Sequence, residues 1–203
     1  MTTNSYERSV CIAVATAIFA AFAPLAISPA CRAAEQPATL LAKMTFDAPD
    51  DSRAWTEEKK QGDASSEISI DPGNRHSGAS ALKFRITADI AGERDIFTGV
   101  KLSDKITGPG RHLRVRLFSR TAGGPSGDVS FRILERGPSG VIGWLGNKAD
   151  FIKIDAVDKW IAYEAQDNLS ENTTGLTLEL AISHANANRT VWIDDLSVEE
   201  IPG

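Results

Sequence analysis

The sequence predicts an all-β protein, a sandwich of two antiparallel sheets, on the strength of two observations. After residue 34, short runs alternate apolar with polar residues, and almost no stretch repeats with the period of a helix. Clusters of Gly, Pro, Asn and Asp separate these runs, as in "DPGNRHSG" and "TAGGPSGD". Short alternating strands joined by such turns are typical of β-sandwiches and barrels.

The first 34 residues are predicted to lie outside this fold. Residues 10–27 are apolar apart from Thr16 and Pro24, and the small residues of "SPACRAAEQ" follow them. This pattern is typical of a secretory signal peptide that is cleaved between Ala30 and Ala34, and an uncleaved membrane anchor is the alternative. We therefore expect a protein that is secreted, periplasmic or held at the cell surface.

Residues 35–203 are predicted to form one domain, large enough to rest on its own hydrophobic core. The formal net charge of the whole chain is −5, which argues against a general nucleic-acid binder. Both cysteines, Cys11 and Cys31, precede the predicted cleavage point, so no disulfide is expected in the exported part. We expect a monomer that contacts a membrane only through an N-terminal anchor, if one remains.

Four runs show the alternation most clearly, each with one apolar and one polar face. They are residues 82–86, 113–117, 129–133 and 176–182. Further strands are predicted at residues 40–47, 54–59, 67–71, 96–102, 141–145, 151–154 and 160–166. Pairing the first strand with the last would close this sandwich into a jelly roll.

The last strand, "TVWIDDLSVEE" at residues 190–200, changes parity at two adjacent carboxylates. Val191 and Ile193 hold the apolar positions before Asp194 and Asp195, and the apolar pattern then resumes on the other parity. Such a slip predicts a β-bulge. The two carboxylates either take part in a binding site or blunt an exposed sheet edge with charge.

Four segments resemble, in this order, the jelly-roll carbohydrate-binding modules of families 4, 9 and 22 in the galactose-binding-like superfamily. They are "MTFDAPDDSRAW", "NRHSGASALKF", "GPGRHLRVRLFSR" and "TVWIDDLSVEEI", and they span nearly the whole domain. The resemblance implies an exported, non-catalytic module that recognises a polysaccharide or oligosaccharide. The alternative is a structural or adhesion module of the same fold that docks to another exported protein or to the cell surface.

The resemblance also implies a structural calcium ion on the side of the sandwich. Matched position by position, Asp47 takes the first acidic place of the family and Asp194 the place in the last strand. Backbone oxygens of the turn from Arg75 to Ser77 would complete the shell, with Asp195 as a further ligand or a supporting group. Calcium takes six to eight oxygen ligands and favours carboxylates together with backbone carbonyls.

Aromatic rings and basic side chains are the candidates for sugar contact, since such modules stack rings on pyranose faces. Trp144 is the first candidate because glycines flank it in "GVIGWLGN", and Trp55 is the second. Arg114, Arg116 and Arg132 occupy polar positions of their strands. If those strands share a sheet, the arginines form a basic stripe suited to uronate or sulfate groups. The alternative is that they pair across strands with glutamates such as Glu135, Glu164 and Glu179.

Nothing in the sequence points to catalysis. It has no H-E-x-x-H, no G-x-S-x-G and no phosphate-binding loop. Its three histidines, His76, His112 and His184, are far apart along the chain. We therefore expect a binding protein and not an enzyme.

Overall fold

A computed structural model describes residues 37–59, 66–90, 94–102, 106, 111–123, 128–145 and 151–202. These residues belong to one compact unit, residues 35–203. The signal peptide or anchor predicted for residues 1–34 lies outside the described residues. In the part of the chain that is described, no helix has the length and apolar character needed to span a membrane.

Each of the twelve predicted strands is present, with ends shifted by a few residues. In chain order they are β1 (Thr39–Met44), β2 (Thr56–Lys59), β3 (Ser66–Asp71), β4 (Ala81–Ile86), β5 (Arg94–Lys101), β6 (Arg111–Ala122), β7 (Asp128–Gly137), β8 (Gly140–Trp144), β9 (Ile152–Ile154), β10 (Ile161–Asn168), β11 (Gly175–Ser183) and β12 (Thr190–Pro202). A single 3-10 turn, Asp51–Ala54, connects β1 to β2.

The strands form two antiparallel sheets that pack face to face. The first sheet has the order β10-β6-β12-β4-β3, and β1 also pairs with β12. The second sheet has the order β2-β5-β11-β7-β8, and β9 also pairs with β7. Because β1 pairs with β12, the two ends of the domain meet in one sheet, which confirms the predicted jelly-roll sandwich.

The core lies between the sheets and consists of the apolar residues of the alternating runs. Phe84 of the first sheet meets Phe97 of the second, with 4.8 Å between ring centroids. Trp55 packs edge-on against Phe84 at 5.7 Å between centroids. These three rings fill the middle of the sandwich.

Strand β11 departs from the prediction, because all nine of its residues are buried although one face was expected to be wet. It is the central strand of the second sheet, between β5 and β7. Polar residues at that face, among them Thr177 and Glu179, are therefore buried.

Gly99 of β5 lies against the ring of Trp55, and a Cβ added there would be 2.8 Å from the ring carbon Cζ2. Replacing Gly by Ala inside a strand normally stabilises by roughly 0.5–1 kcal/mol. Here we expect Gly99→Ala to lower the free energy of unfolding by about 1–3 kcal/mol, because the ring must move within a close-packed core. Denaturant unfolding of both proteins measures the change, and a variant as stable as the wild type would contradict this packing.

Candidate functional site

Asp194 lies at the point where β12 changes its partner strand. Residues 190–193 pair with β4, and residues 196–200 pair with β1 on the same side. The register against β6 shifts between Asp194 and Ser197, and Asp195 has a φ of 49°. The predicted β-bulge is confirmed. Because β12 is paired on both sides, the two carboxylates do not blunt a sheet edge.

The carboxylate of Asp194 fastens the loop between β3 and β4 to this bulge. It is fully buried. Its Oδ2 accepts hydrogen bonds from the backbone N–H groups of His76 at 2.9 Å and Ser77 at 3.0 Å, and its Oδ1 accepts that of Asp195 at 2.8 Å. Burial raises the pKa of Asp194 above its ordinary value, against the opposing effect of these three donors.

Asp195 holds the same loop through side chains. The Ser77 hydroxyl donates to its carboxylate at 2.8 Å, and Nδ1 of His76 lies 2.8 Å from its Oδ2. The His76 ring also stacks on Phe118 of β6, with 3.5 Å between ring centroids. Hydrogen bonds to the bulge and the stacking of His76 on Phe118 therefore both hold the loop.

Asp47, which follows β1, holds the far end of the loop. Its Oδ1 accepts the N–H of Ala79 at 2.6 Å, and this hydrogen bond lowers the pKa of the exposed carboxyl. Gly78 has a φ of 60°, and any Cβ there would overlap the Asp47 carboxylate. Glycine is required at this position for both reasons.

These residues do not form a calcium shell in this arrangement. The loop approaches Asp47, Asp194 and Asp195 chiefly with N–H and O–H donors, whereas calcium requires oxygen ligands. Within the described ranges, no three His, Cys, Asp or Glu side chains form a group that could hold a metal. Arg75 donates from its guanidinium to the carbonyl oxygen of Pro72 at 2.7 Å. Calcium binding at this loop stays a prediction.

We expect Asp194→Asn to lower the free energy of unfolding by about 1–3 kcal/mol, because an amide NH₂ would face buried N–H donors. Asp195→Asn is the matched control and should cost less, since Asp195 is partly exposed and an amide oxygen can still accept the Ser77 hydroxyl. Thermal unfolding of both variants, with calcium and with a chelator, measures the effect. A melting temperature of the wild type that rises with calcium would support a metal at this loop, and equal temperatures would mean that hydrogen bonds alone hold it.

Arg114 and Arg116 lie on the outer face of the first sheet, and both are paired with glutamates. Arg114 donates from Nε to Glu199 of β12 at 2.8 Å, and Arg116 donates from Nε to Glu164 of β10 at 2.6 Å. Arg132 lies on β7 in the second sheet. The predicted basic stripe therefore does not form, because its strands belong to different sheets, and cross-strand pairing accounts for the first two arginines.

Trp144 and Arg132 meet on the outer face of the second sheet. The pairing of β8 with β7 places Trp144 opposite Leu134, and the guanidinium carbon of Arg132 lies 3.8 Å from the centroid of the indole ring. This is a cation–π contact that fixes the ring, which is half-buried. A Cβ added at Gly140 or Gly143 would meet nothing within 4 Å. Space is therefore open beside these two glycines of β8.

A buried polar row lies next to this ring. Glu179 of β11 is in register with Arg132 on one side and with Thr98 of β5 on the other, and all three are at most 5% exposed. Among the described residues, Oε2 of Glu179 and Oγ1 of Thr98 have no hydrogen-bond partner. Burial raises the pKa of Glu179, and the charge of Arg132 opposes this effect. Buried polar atoms of this kind are suited to receive a ligand that carries hydroxyl groups.

The raised pKa of Glu179 gives a pH dependence of stability. The folded-state pKa lies above the unfolded one, so the contribution to stability is complete at low pH and is lost as the pH rises through the folded value. We expect the wild type to gain stability relative to Glu179→Gln as the pH falls from about 8 to about 4. Denaturant unfolding of both proteins across this range measures the difference, and a constant difference would contradict a buried carboxylate.

Trp55 does not reach this face. It is 3% exposed and belongs to the core, so the prediction that it contacts a ligand is corrected. Sequence reasoning missed Thr98 and Glu179, because their positions read as the wet faces of ordinary strands. One signal was available, since Glu179 is the single charged residue in the nine residues of β11.

Comparison with known proteins places the fold among carbohydrate-binding modules. The chain resembles the CBM22-1 xylan-binding domain from Paenibacillus barcinonensis Xyn10C, with a TM-score of 0.58 and 14% identity over 81% of this chain and 96% of that domain. It also resembles the C-terminal family 22 module of Clostridium thermocellum Xyn10B, with a TM-score of 0.54 and 13% identity over 81% and 94%.

A third similar structure is the family 11 carbohydrate-binding module from Clostridium thermocellum in complex with a β-1,3-1,4-mixed-linked tetrasaccharide. Its TM-score is 0.56, at 12% identity over 79% of this chain and 94% of that module. No protein-family model and no curated protein matches the chain. At these identities the comparisons confirm the predicted resemblance at the level of the jelly-roll fold.

Proposed function

We propose that this protein is a non-catalytic carbohydrate-binding module that holds a polysaccharide on the outer face of its second sheet. The observation that carries the proposal is the Trp144 ring, fixed on Arg132 beside the buried and unpartnered oxygens of Glu179 and Thr98. The fold shared with xylan-binding and glucan-binding modules supports the same conclusion.

Different residues of this face would contact different parts of a bound sugar. The Trp144 ring supplies a flat apolar surface for the C–H face of a pyranose, and its contact with Arg132 holds it in one orientation before the ligand arrives. Glu179 and Thr98 are at most 3% exposed, so a sugar hydroxyl reaches their oxygens only when the side chains that cover them move aside. Such a hydroxyl would then pair with oxygens that have no hydrogen-bond partner among the described residues.

A second candidate function, docking to another protein, is favoured by one observation. Val141 and Ile142 of β8 are 58% and 43% exposed, and within the described residues β8 pairs with β7 alone. An edge strand with exposed apolar side chains is a surface to which another chain can bind. Val141→Lys distinguishes the two functions, since it should abolish protein docking and leave a sugar bound to Trp144.

We expect Trp144→Ala to weaken polysaccharide binding at least about tenfold, because the stacking surface is lost. Affinity electrophoresis against xylan and mixed-linked β-glucan measures the change. Trp160→Ala is the matched control, since Trp160 lies beside His76 over the first sheet. Equal losses for the two variants, or no binding by the folded wild type to any polysaccharide, would overturn the proposal.

A further inference from the structure

The basic side chains on the outer faces of the two sheets differ in how many are paired with carboxylates. On the first sheet each of four basic side chains has a carboxylate partner from a neighbouring strand. The pairs are Lys83 with Asp71, Arg85 with Glu67, Arg114 with Glu199, and Arg116 with Glu164. Such pairs largely neutralise this part of the surface. Arg120 of β6 differs, since it donates to the side-chain oxygen of Asn74 and lies 5.3 Å from the centroid of the Trp192 ring.

On the second sheet Lys153 pairs with Asp128, but two cations on the face that carries Trp144 have no carboxylate partner among the described residues. Arg136 of β7 donates from Nε to the hydroxyl of Thr177 at 2.9 Å, which orients its guanidinium without neutralising it. Lys101 of β5 is exposed and is in register with the same Thr177. Among the described residues, neither cation forms an ion pair with a carboxylate. Within the described part of an acidic chain, these two cations without carboxylate partners give this face groups that attract anions.

The strand register places these cations on the same face as the ring. Lys101, Thr177, Leu134 and Trp144 form one row across β5, β11, β7 and β8. Arg136 lies in the adjoining row, and its backbone is about 10 Å from that of β5, two strand spacings away. The carboxylate of Glu179 lies in a different row with Arg132, and the charges of Arg132, Arg136 and Glu58 all act on it. Three cations, Arg132, Arg136 and Lys101, therefore outnumber these two carboxylates.

We propose that the polysaccharide bound on this face is acidic, with uronate carboxylates that contact Arg136 and Lys101 while a sugar ring stacks on Trp144. This inference rests on the proposed function and names its substrate class. A planar guanidinium that one hydrogen bond already orients presents its remaining N–H groups to a planar carboxylate in the bidentate geometry. The ammonium of Lys101, on a flexible stem, provides a second and less directional contact.

The experiment compares polygalacturonate with its fully methyl-esterified form, which keeps the backbone and removes the charge. Isothermal titration measures both affinities for residues 35–203 at low and at moderate salt. We expect at least about tenfold tighter binding of the acid form, and a loss of about tenfold in each of Arg136→Gln and Lys101→Gln. Arg116→Gln is the matched control, because it removes a paired arginine from the opposite sheet and should change nothing.

The outcomes separate the two proposals. Equal affinity for acid and ester, or binding to neutral xylan alone, would overturn the inference and leave the proposed function standing. No binding to any polysaccharide would overturn both. Binding to the acid form that Trp144→Ala does not weaken, and that moderate salt abolishes, would be non-specific attraction and would also overturn the inference.

Discussion

The first sheet depends on the one place where β12 changes partners. Up to Ile193 it pairs with β4, and from Leu196 it pairs with β1, so the backbone must accommodate one extra residue between the two ladders. The bulge lets the apolar side chains on either side of it face the same core. The Asp194 carboxylate then gives the irregular backbone and the adjacent loop an acceptor for three N–H groups. Without it, buried donors would lack partners in the middle of a sheet.

The second sheet buries a polar group at a cost to the stability of the fold. Its central strand buries a glutamate whose Oε2 has no hydrogen-bond partner among the described residues, and whose pKa is raised by that burial. Burying such a group destabilises the fold, and a core built for stability alone would replace it with an apolar residue. Local rules are broken in this way most often where a ligand later completes the arrangement.

Sequence reasoning correctly predicted the strands and the bulge because each leaves a local signal, and Trp144 stays its candidate for sugar contact. The bulge at Asp194 shows as a change of parity, and the flanking glycines single out Trp144. Sequence reasoning failed where the partners of a side chain depend on the order of the strands in the sheets. Arg116 and Arg132 have the same alternating pattern, yet one lies on the first sheet and is paired, and the other lies on the second sheet beneath an indole. Periodicity determines which side chains share a face of one strand, and does not determine which strands become neighbours.

The same limit applies to charge. Counting residues gives an acidic protein, which taken alone disfavours an acidic ligand. Pairing decides the matter locally, because Arg114 and Arg116 of the first sheet are paired with glutamates while Arg136 is held by a hydroxyl. An exposed ion pair contributes little field to a ligand, whereas an oriented and unpaired guanidinium beside a fixed ring contributes both charge and geometry. Net charge describes how the whole molecule behaves in solution, and the local arrangement of partners determines what one face can bind.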